Sequence, residues 1–337
     1  MILHEAASRP AVAEYGISIP IYPSSVARTL EHLLADPFLG PRKDEWLFPA
    51  PDSPVSRELL ELVHDPAYLD RLLGDGGEEE VIRTYELVDS RGHYHRYDPR
   101  HGNRSLREMV TFALITAAGS LACAEAAVRE GSCFFLGGGM HHGKREGGDG
   151  FCLVNDPVIA ARGVQSKGVA GTVWIIDLDV HKGDGTAALT EGDPTIRTLS
   201  IHMARGWPLD RPERLPDGSR HPSHIPSDLD IPIDRNEEDA YLPLLADGLE
   251  SFADQGGADL AIVLYGADPY ERDELPSSGG IKLSLPQMME RDQLVYRFLR
   301  DRGIPRAYLK AGGYGNWAWE PLTQFLSWYL REELAPG

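Results

Sequence analysis

Asp177, Asp179, His181 and Asp184 close the run Trp174-Ile-Ile-Asp-Leu-Asp-Val-His-Lys-Gly-Asp184. An extended chain sends alternate side chains to one face, so Asp177, Asp179 and His181 are expected to point the same way. Burying that much carboxylate costs several kcal/mol unless a cation or hydrogen-bond donors compensate. A carboxylate and an imidazole two residues apart at the mouth of a buried strand suit two ligands of Zn²⁺ or a similar divalent ion. The competing reading is a hydrophilic loop after a strand, with Asp-Gly making a turn.

Three other segments share this layout, a short apolar strand that runs into glycine and then into a reactive side chain. Cys133-Phe-Phe-Leu136 precedes Gly138-Gly-Met-His141-His142-Gly143. Asp259-Leu-Ala-Ile-Val-Leu-Tyr265 precedes Gly266-Ala-Asp268, and the strand expected over 305–310 precedes Ala311-Gly-Gly-Tyr314. Singly, each has an ordinary structural explanation: a hydrogen-bonded His pair, a turn Asp, a packed Tyr. Together they fit one reaction. Asp179, His181 and Asp268 give a metal three protein ligands with a position open for water. Such a metal lowers the pKa of a water and polarises a carbonyl. A neutral His nearby removes the water proton and later protonates a leaving nitrogen. Tyr314 can donate to a tetrahedral oxyanion. Asp177 and Asp184 are left to orient the two histidines. This is a kit for metal-assisted amide hydrolysis.

The elements that must position these groups alternate in type. Helices are expected at 24–35 and 56–73, from a capping box at Ser105 and Glu108 to Gly131, from an Asp156 N-cap, at 238–254, from a box at Ser284 and Gln287, and at 317–333. Strands are expected at 133–136, 172–177, 196–201, 229–233, 259–265 and 305–310. Solid apolar strands between helices imply an α/β fold with a parallel sheet covered on both faces, and ligands then bind at the carboxyl ends of the strands. Residues 1–100 are rich in proline and charge and read as irregular. No repeat or linker divides the 337 residues, so one domain over 1–337 is expected.

Composition bounds the partners. A net charge of −19 argues against nucleic-acid binding through a basic surface and suits a cationic substrate. The three cysteines, Cys123, Cys133 and Cys152, form no disulfide framework and fit a reducing cytoplasm. No uninterrupted apolar stretch reaches 18 residues and the N-terminus lacks a leader pattern, so neither a membrane span nor a signal peptide is expected. Oligomeric state is left open.

The ordered motifs resemble the zinc-dependent histone deacetylase family of the arginase/deacetylase superfamily. They are Gly138-Gly-Met-His-His142, Gly150-Phe-Cys152 with Asn155-Asp156, Asp177–Asp184, Gly266-Ala-Asp-Pro269 and Gly312-Gly-Tyr314, and they extend from about His64 to residue 330. The stretch Gly266–Leu275 with Arg291-Asp292 is most similar to the class IV-like branch that includes bacterial members. The resemblance implies the three-layer fold, a central parallel sheet flanked by helices. It also implies zinc on Asp179, His181 and Asp268, and His142 paired with Asp184 as general base and acid. His141 paired with Asp177 becomes an electrostatic partner, and Tyr314 polarises the scissile carbonyl. Gly150 would offer its carbonyl to the substrate amide, while Phe151 and Trp207 wall an acyl-lysine tunnel. An inner K⁺ site is implied at the Asp177 side chain, the carbonyls of Asp177, Asp179, His181 and Ile201, and Ser200.

Three positions depart from the family pattern: Met140 before the His pair, Lys182 beside a ligand, where alternation turns it away, and the extended Pro276–Gly280 loop. His93, His95 and His101 read as a surface loop at the rim, Cys152 as a packing residue, and Trp317 and Trp319 as packing for the last helix. The substrate expected is an acylated amine or peptide, such as an acyl-lysine or an acetylpolyamine. The rival readings are a ureohydrolase-like enzyme with two metals and a binding protein of the same fold.

Overall fold

The computed structural model describes residues 1–5 and 10–335. In chain order the elements are β1 (Ile2–His4), α1 (Ser24–Ala35), α2 (Lys43–Trp46), β2 (Leu47–Pro49), α3 (Arg57–Glu61), α4 (Pro66–Leu73), α5 (Gly77–Thr84), α6 (Arg107–Glu130) and β3 (Ser132–Phe135). Then follow α7 (Asp156–Ser166), β4 (Val173–Asp177), α8 (Asp184–Thr190), β5 (Ile196–Met203), β6 (Leu229–Ile233), α9 (Glu238–Ala253), β7 (Leu260–Tyr265), α10 (Leu285–Asp301), β8 (Arg306–Lys310) and α11 (Trp319–Leu334). The eight strands form one parallel sheet in the order β2-β1-β3-β8-β7-β4-β5-β6.

Both faces are covered, and the strand period shows which residue serves which face. Cys133, Phe135, Val173, Ile175, Ile262, Leu264, Ala307 and Leu309 pack with α6 and α7. Their neighbours Phe134, Trp174, Ile176, Val263, Tyr265 and Tyr308 pack with α9, α10 and α11. That two-sided burial makes the strands read as solid apolar runs. It is the three-layer α/β architecture.

Several boundaries differ from expectation for local reasons. The helix expected over 56–73 is two helices, each with its own cap: Ser56 Oγ accepts from Leu59, and the Asp65 carboxylate accepts from Ala67 ahead of Pro66. No box forms at Ser105 and Glu108. Ser105 Oγ donates to Glu78, and Glu108 pairs with Arg104. Asn155, not Asp156, caps α7, accepting from Val158. Residues 1–100 are more regular than they read. Strands β1 and β2 were not expected because three residues are too few to show a period. The segment read for a leader includes residues 6–9, which lie outside the described residues. Helix α6 is long and apolar enough to cross a membrane, but most of its surface is buried against the sheet and α7.

The sheet order matters most for chemistry. Strands β3, β8, β7 and β4 are four contiguous central strands, and they are the four whose exits carry the reactive residues. A buried guanidinium ties two of these exits together. Arg291 of α10 donates Nη1 to the Leu178 carbonyl after β4 at 3.2 Å and to the Gly266 carbonyl after β7 at 2.9 Å. Its charge is matched by Asp292, with Nη2 to Oδ1 at 2.7 Å. Removing one partner strands the other charge in the core, so Arg291→Ala should lower unfolding free energy by about 3–5 kcal/mol in urea titrations. A loss under about 1 kcal/mol would mean the pair does not tie the strands.

Candidate active site

The His pair is set by backbone geometry. Gly138 and Gly139 have φ of 89° and 73°, and a Cβ at Gly138 would overlap Ser120 and Asp156. Only glycine takes this path without strain. The turn is held by Asp156, which accepts from Gly139 at 3.0 Å and Met140 at 2.6 Å and receives the Ser120 hydroxyl. Asn155 Nδ2 donates to the carbonyls of His141 at 3.2 Å and Gly143 at 3.1 Å. Behind Asn155, His64 Nε2 accepts its backbone N–H at 3.1 Å, while Nδ1 donates to the Lys144 carbonyl at 2.8 Å.

Each catalytic candidate imidazole has its own carboxylate. His141 Nδ1 lies 2.6 Å from Asp177 Oδ2, and His142 Nδ1 lies 2.7 Å from Asp184 Oδ1; all four residues are buried. The pairs look alike but are not electrostatically equal. Burial lowers the basicity of His141, yet Asp177 and Asp179 outweigh it and hold the ring at about 9. Burial and the neighbouring His141 push His142 down to about 4. The Asp184 carboxylate also faces Lys144 Nζ at 2.8 Å and the Ser223 hydroxyl at 2.6 Å. Against its own burial, Lys144 and His142 keep Asp184 well below the usual carboxylate range. The two rings are thus biased in opposite directions, His142 toward the neutral form and His141 toward the protonated one.

Ligand-type atoms of Asp179, His181 and Asp268 lie within 4.8 Å of one another, all buried. His181 Nδ1 is 3.1 Å from Asp179 Oδ1 and 3.4 Å from Asp268 Oδ2. The remaining oxygens are used by backbone: Asp179 Oδ2 accepts from Gly312 at 2.9 Å and Asp268 Oδ1 from Val180 at 3.1 Å. Asp268 Oδ2 has no hydrogen-bond partner. Burial and the adjacent Asp179 raise Asp268 to about 7. Although burial opposes it, the Asp179 and Asp268 carboxylates beside its ring raise His181 to about 10. A proton on His181 thus offsets two buried carboxylates. A divalent cation would do so more fully, and an O, N, O donor set fits zinc.

Tyr314 follows the β8 exit. Gly312 cannot carry a side chain because its Cβ would overlap Asp179 and Asp268. The Tyr314 N–H donates to Asp273 Oδ2 at 2.7 Å. Its ring meets Phe151 edge-on at 6.4 Å. Burial and then Asp179 push the Tyr314 phenol well above its ordinary value, so the hydroxyl stays a donor. Trp207 stands edge-on to His142 at 4.5 Å and to His181 at 5.5 Å, and a Cβ at Gly150 would overlap Trp207 and His142.

A family model described as the histone deacetylase domain matches residues 20–326. The chain belongs to the histone deacetylase family. It is a deacetylase-type hydrolase by that membership. An uncharacterized protein of Picosynechococcus sp. is 31% identical over 261 residues, covering 77% of this chain and 76% of that protein. Histone deacetylase 2 of Arabidopsis thaliana is 30% identical over 196 residues, and the acetoin utilization protein AcuC of Bacillus subtilis 28% over 206. Those matches cover 58% and 60% of this chain and 48% and 51% of the relatives, about half their length. The fold is similar to that of an HDAC homolog from Aquifex aeolicus, with TM-score 0.66 at 19% identity over 98% of this chain and 83% of that one. The HD domain of HDA15 gives 0.64 at 17% identity, over 99% and 89%.

In this histone deacetylase family member, His141, His142, Asp177, Asp179, His181, Asp184, Asp268, Phe151, Gly150, Trp207 and Tyr314 meet at one edge of the sheet. Ser200 is the register partner of Asp177 on β5, followed by Ile201, and Ser200 Oγ accepts from Gly183 at 3.4 Å. Lys182 turns away to Asp230 at 2.6 Å. His93 and His101 are exposed beside Asp89 and Asp98, and His95 is also exposed; they contribute nothing to the cluster. Cys152 is buried, and burial raises its thiol well above the ordinary value, as for a packing residue. Trp319 stacks on His32 of α1 at 4.8 Å, while Trp317 is partly exposed with the Arg272 guanidinium 3.3 Å from its ring centre. The sequence reading missed His64, Lys144, Asp149, Arg211, Ser223 and Asp273. Asp273 lies five residues after Asp268 in the quoted motif, which was a usable signal; Ser223 and Arg211 sit in an aperiodic loop that offered none.

His64 supplies a pH test of this scaffold. Burial holds it at about 4 against an ordinary 6.5. A depressed imidazole pKa means the unfolded chain binds the extra proton first, so stability is complete above pH 6.5 and falls as pH drops toward 4. The loss should reach about 3 kcal/mol by pH 4. His64→Gln, which can still accept from Asn155, should flatten this part of the stability–pH curve in urea titrations. An unchanged slope would assign the acid sensitivity elsewhere.

Proposed function

We propose that this chain is a zinc-dependent deacylase that removes an acyl group, principally acetyl, from a lysine side chain or a polyamine-like amine. The observation that carries this reading is the junction of a three-ligand cluster with two carboxylate-backed histidines and a Tyr hydroxyl at the exits of four contiguous strands. Zinc on Asp179, His181 and Asp268, one per chain, would supply Lewis acidity toward the carbonyl and acidify the attacking water.

The chain's own residues do the rest. Neutral His142 takes the proton of the attacking water and passes it to the leaving nitrogen. Asp184 holds that ring in one tautomer through Nδ1, which leaves Nε2 as the working nitrogen. Protonated His141 adds positive charge beside the developing oxyanion. The Tyr314 hydroxyl donates to the same oxygen. The Gly150 carbonyl accepts the substrate amide N–H, and Phe151 and Trp207 exclude water around the acyl-bearing stem. A free amine and a carboxylic acid leave. K⁺ bound by Asp177, Ser200 and the carbonyls of Asp177, Asp179, His181 and Ile201 would offset the charge on the inner side of β4. The protein's net charge of −19 favours cationic substrates over nucleic acid, and the proposed compartment is the cytoplasm.

An acyl-lysine and acyl-polyamine panel tests the reading. Chelated protein should be inactive, and activity should return at one zinc per chain; saturation at two would favour the binuclear ureohydrolase-like reading. With the metal loaded, no turnover on any panel member would favour a binding protein. Tyr314→Phe should lower kcat by about 10²–10³ while zinc content stays at one. His142→Ala should be worse than His141→Ala, with a loss of about 10²–10⁴; the reverse order would exchange their roles.

A further inference from the structure

The loop of residues 204–228 leaves the sheet after β5 and returns at β6, and its partly buried Arg211 and His224 have no task in the reaction above. Arg211 is the centre of it. Its guanidinium grips Asp149 with both ends, Nη2 to Oδ1 at 2.9 Å and Nη1 to Oδ2. The same group lies over the Trp207 ring, with Cζ 5.3 Å from its centre. Nη1 also lies 3.4 Å from Ser223 Oγ, the hydroxyl that donates to Asp184. His224 Nε2 donates to the Arg211 carbonyl at 2.8 Å, which ties the loop to itself.

Asp149 is the residue before Gly150, and its Oδ1 accepts the Gly150 N–H at 3.0 Å. The next two residues both have positive φ, 51° at Gly150 and 66° at Phe151. A bulky residue such as Phe holds such a conformation only when its surroundings fix it. Here the Phe151 N–H donates to the Thr84 carbonyl at 3.2 Å, Tyr85 packs on the Phe151 ring at 5.4 Å, and Asp149 anchors the other end. Gly150 itself has no room for a Cβ because the Trp207 and His142 rings are already there. Arg211 thus contacts both sides of this junction, the carboxylate beside the Gly150 backbone and the face of Trp207.

We propose that Arg211 is a positioning residue that clamps the two walls of the acyl passage, fixing its width and so its preference for a short acyl group. The proposal rests on the reading of Gly150, Phe151 and Trp207 as that passage. A guanidinium suits the task because its rigid fork matches a carboxylate at two points while its flat face lies on an aromatic ring; a lysine ammonium supplies neither.

Steady-state kinetics on acetyl- and butyryl-lysine peptides test it. Arg211→Ala should raise KM for the acetyl substrate by about tenfold with kcat within about threefold, the pattern of lost ground-state and transition-state binding alike. The ratio of kcat/KM for butyryl over acetyl should rise, which a merely structural role would not produce. Asp149→Asn also weakens the Lys144 ion pair, so it carries its own effect, but in that background the further effect of Arg211→Ala on KM should largely vanish, because the Arg211–Asp149 contact is already broken. Wild-type KM and acyl preference in Arg211→Ala, or full additivity with Asp149→Asn, would overturn the clamp. If the alanine variant does not fold, Arg211→Lys, which keeps charge and stem, is read by the same criteria: a KM raised at least about threefold supports the clamp, and wild-type values overturn it. A wild-type enzyme inactive on every substrate fails the functional reading instead, so the two failures are separable.

Discussion

Four aspartates buried at one edge of a parallel sheet are the constraint on which this structure depends. Asp177, Asp179, Asp184 and Asp268 are each almost fully removed from water, where an uncompensated carboxylate costs several kcal/mol. Each is compensated differently. Asp177 has His141 and the Asp179 N–H, and Asp184 has His142, Ser223 and Lys144. Asp179 is held by the N–H groups of Gly312 and His181. Asp268 keeps one oxygen without a hydrogen bond, aimed at His181. Asp179, His181 and Asp268 are a candidate cation site, and the glycines, caps and buried arginine of the fold bring them together.

The same bookkeeping separates two histidines that are neighbours in sequence. Both lie in a tight turn fixed by Asp156 and Asn155, and both face a carboxylate at hydrogen-bond distance. Asp184 already answers to a lysine and a serine, so it raises its imidazole little. Asp177 has no comparable cation, and Asp179 stands behind it, so its imidazole is strongly basic. Opposite protonation states on adjacent rings are what a site needs if one ring moves a proton while the other supplies charge. The loop of residues 204–228 contributes to this difference through Ser223, and to the passage in front of it through Arg211.

Much of this was legible from residue types and spacing. Asp-x-His after an apolar strand, the His pair after Gly-Gly, Asp268 after Gly-Ala and Tyr314 after Gly-Gly are local signals, written within a few residues of each strand exit. The turn of Lys182 away from the candidate metal cluster, toward Asp230, followed from alternation. Caps were less secure. Asn155 and Asp156 are both good capping residues, and which one caps α7 is decided by Asp156 being drawn off to the Gly139 and Met140 amides. Ser105 and Glu108 had the pattern of a box but found better partners in Glu78 and Arg104. Strands β1 and β2 are three residues each, too short to show a period, and they form because the edge of the sheet accepts them.

The sequence by itself determined the donor set and the strand exits that carry it, because a strand followed by glycine and a functional side chain is a local unit. Only the tertiary structure decided that β3, β8, β7 and β4 lie side by side, so that residues far apart in the chain share one edge. It alone decided that Lys144, Ser223, Asp273 and Arg211 join them. Hydrogen bonds across long separations depend on how loops pack, and a proline-rich loop carries no periodicity from which that packing can be read.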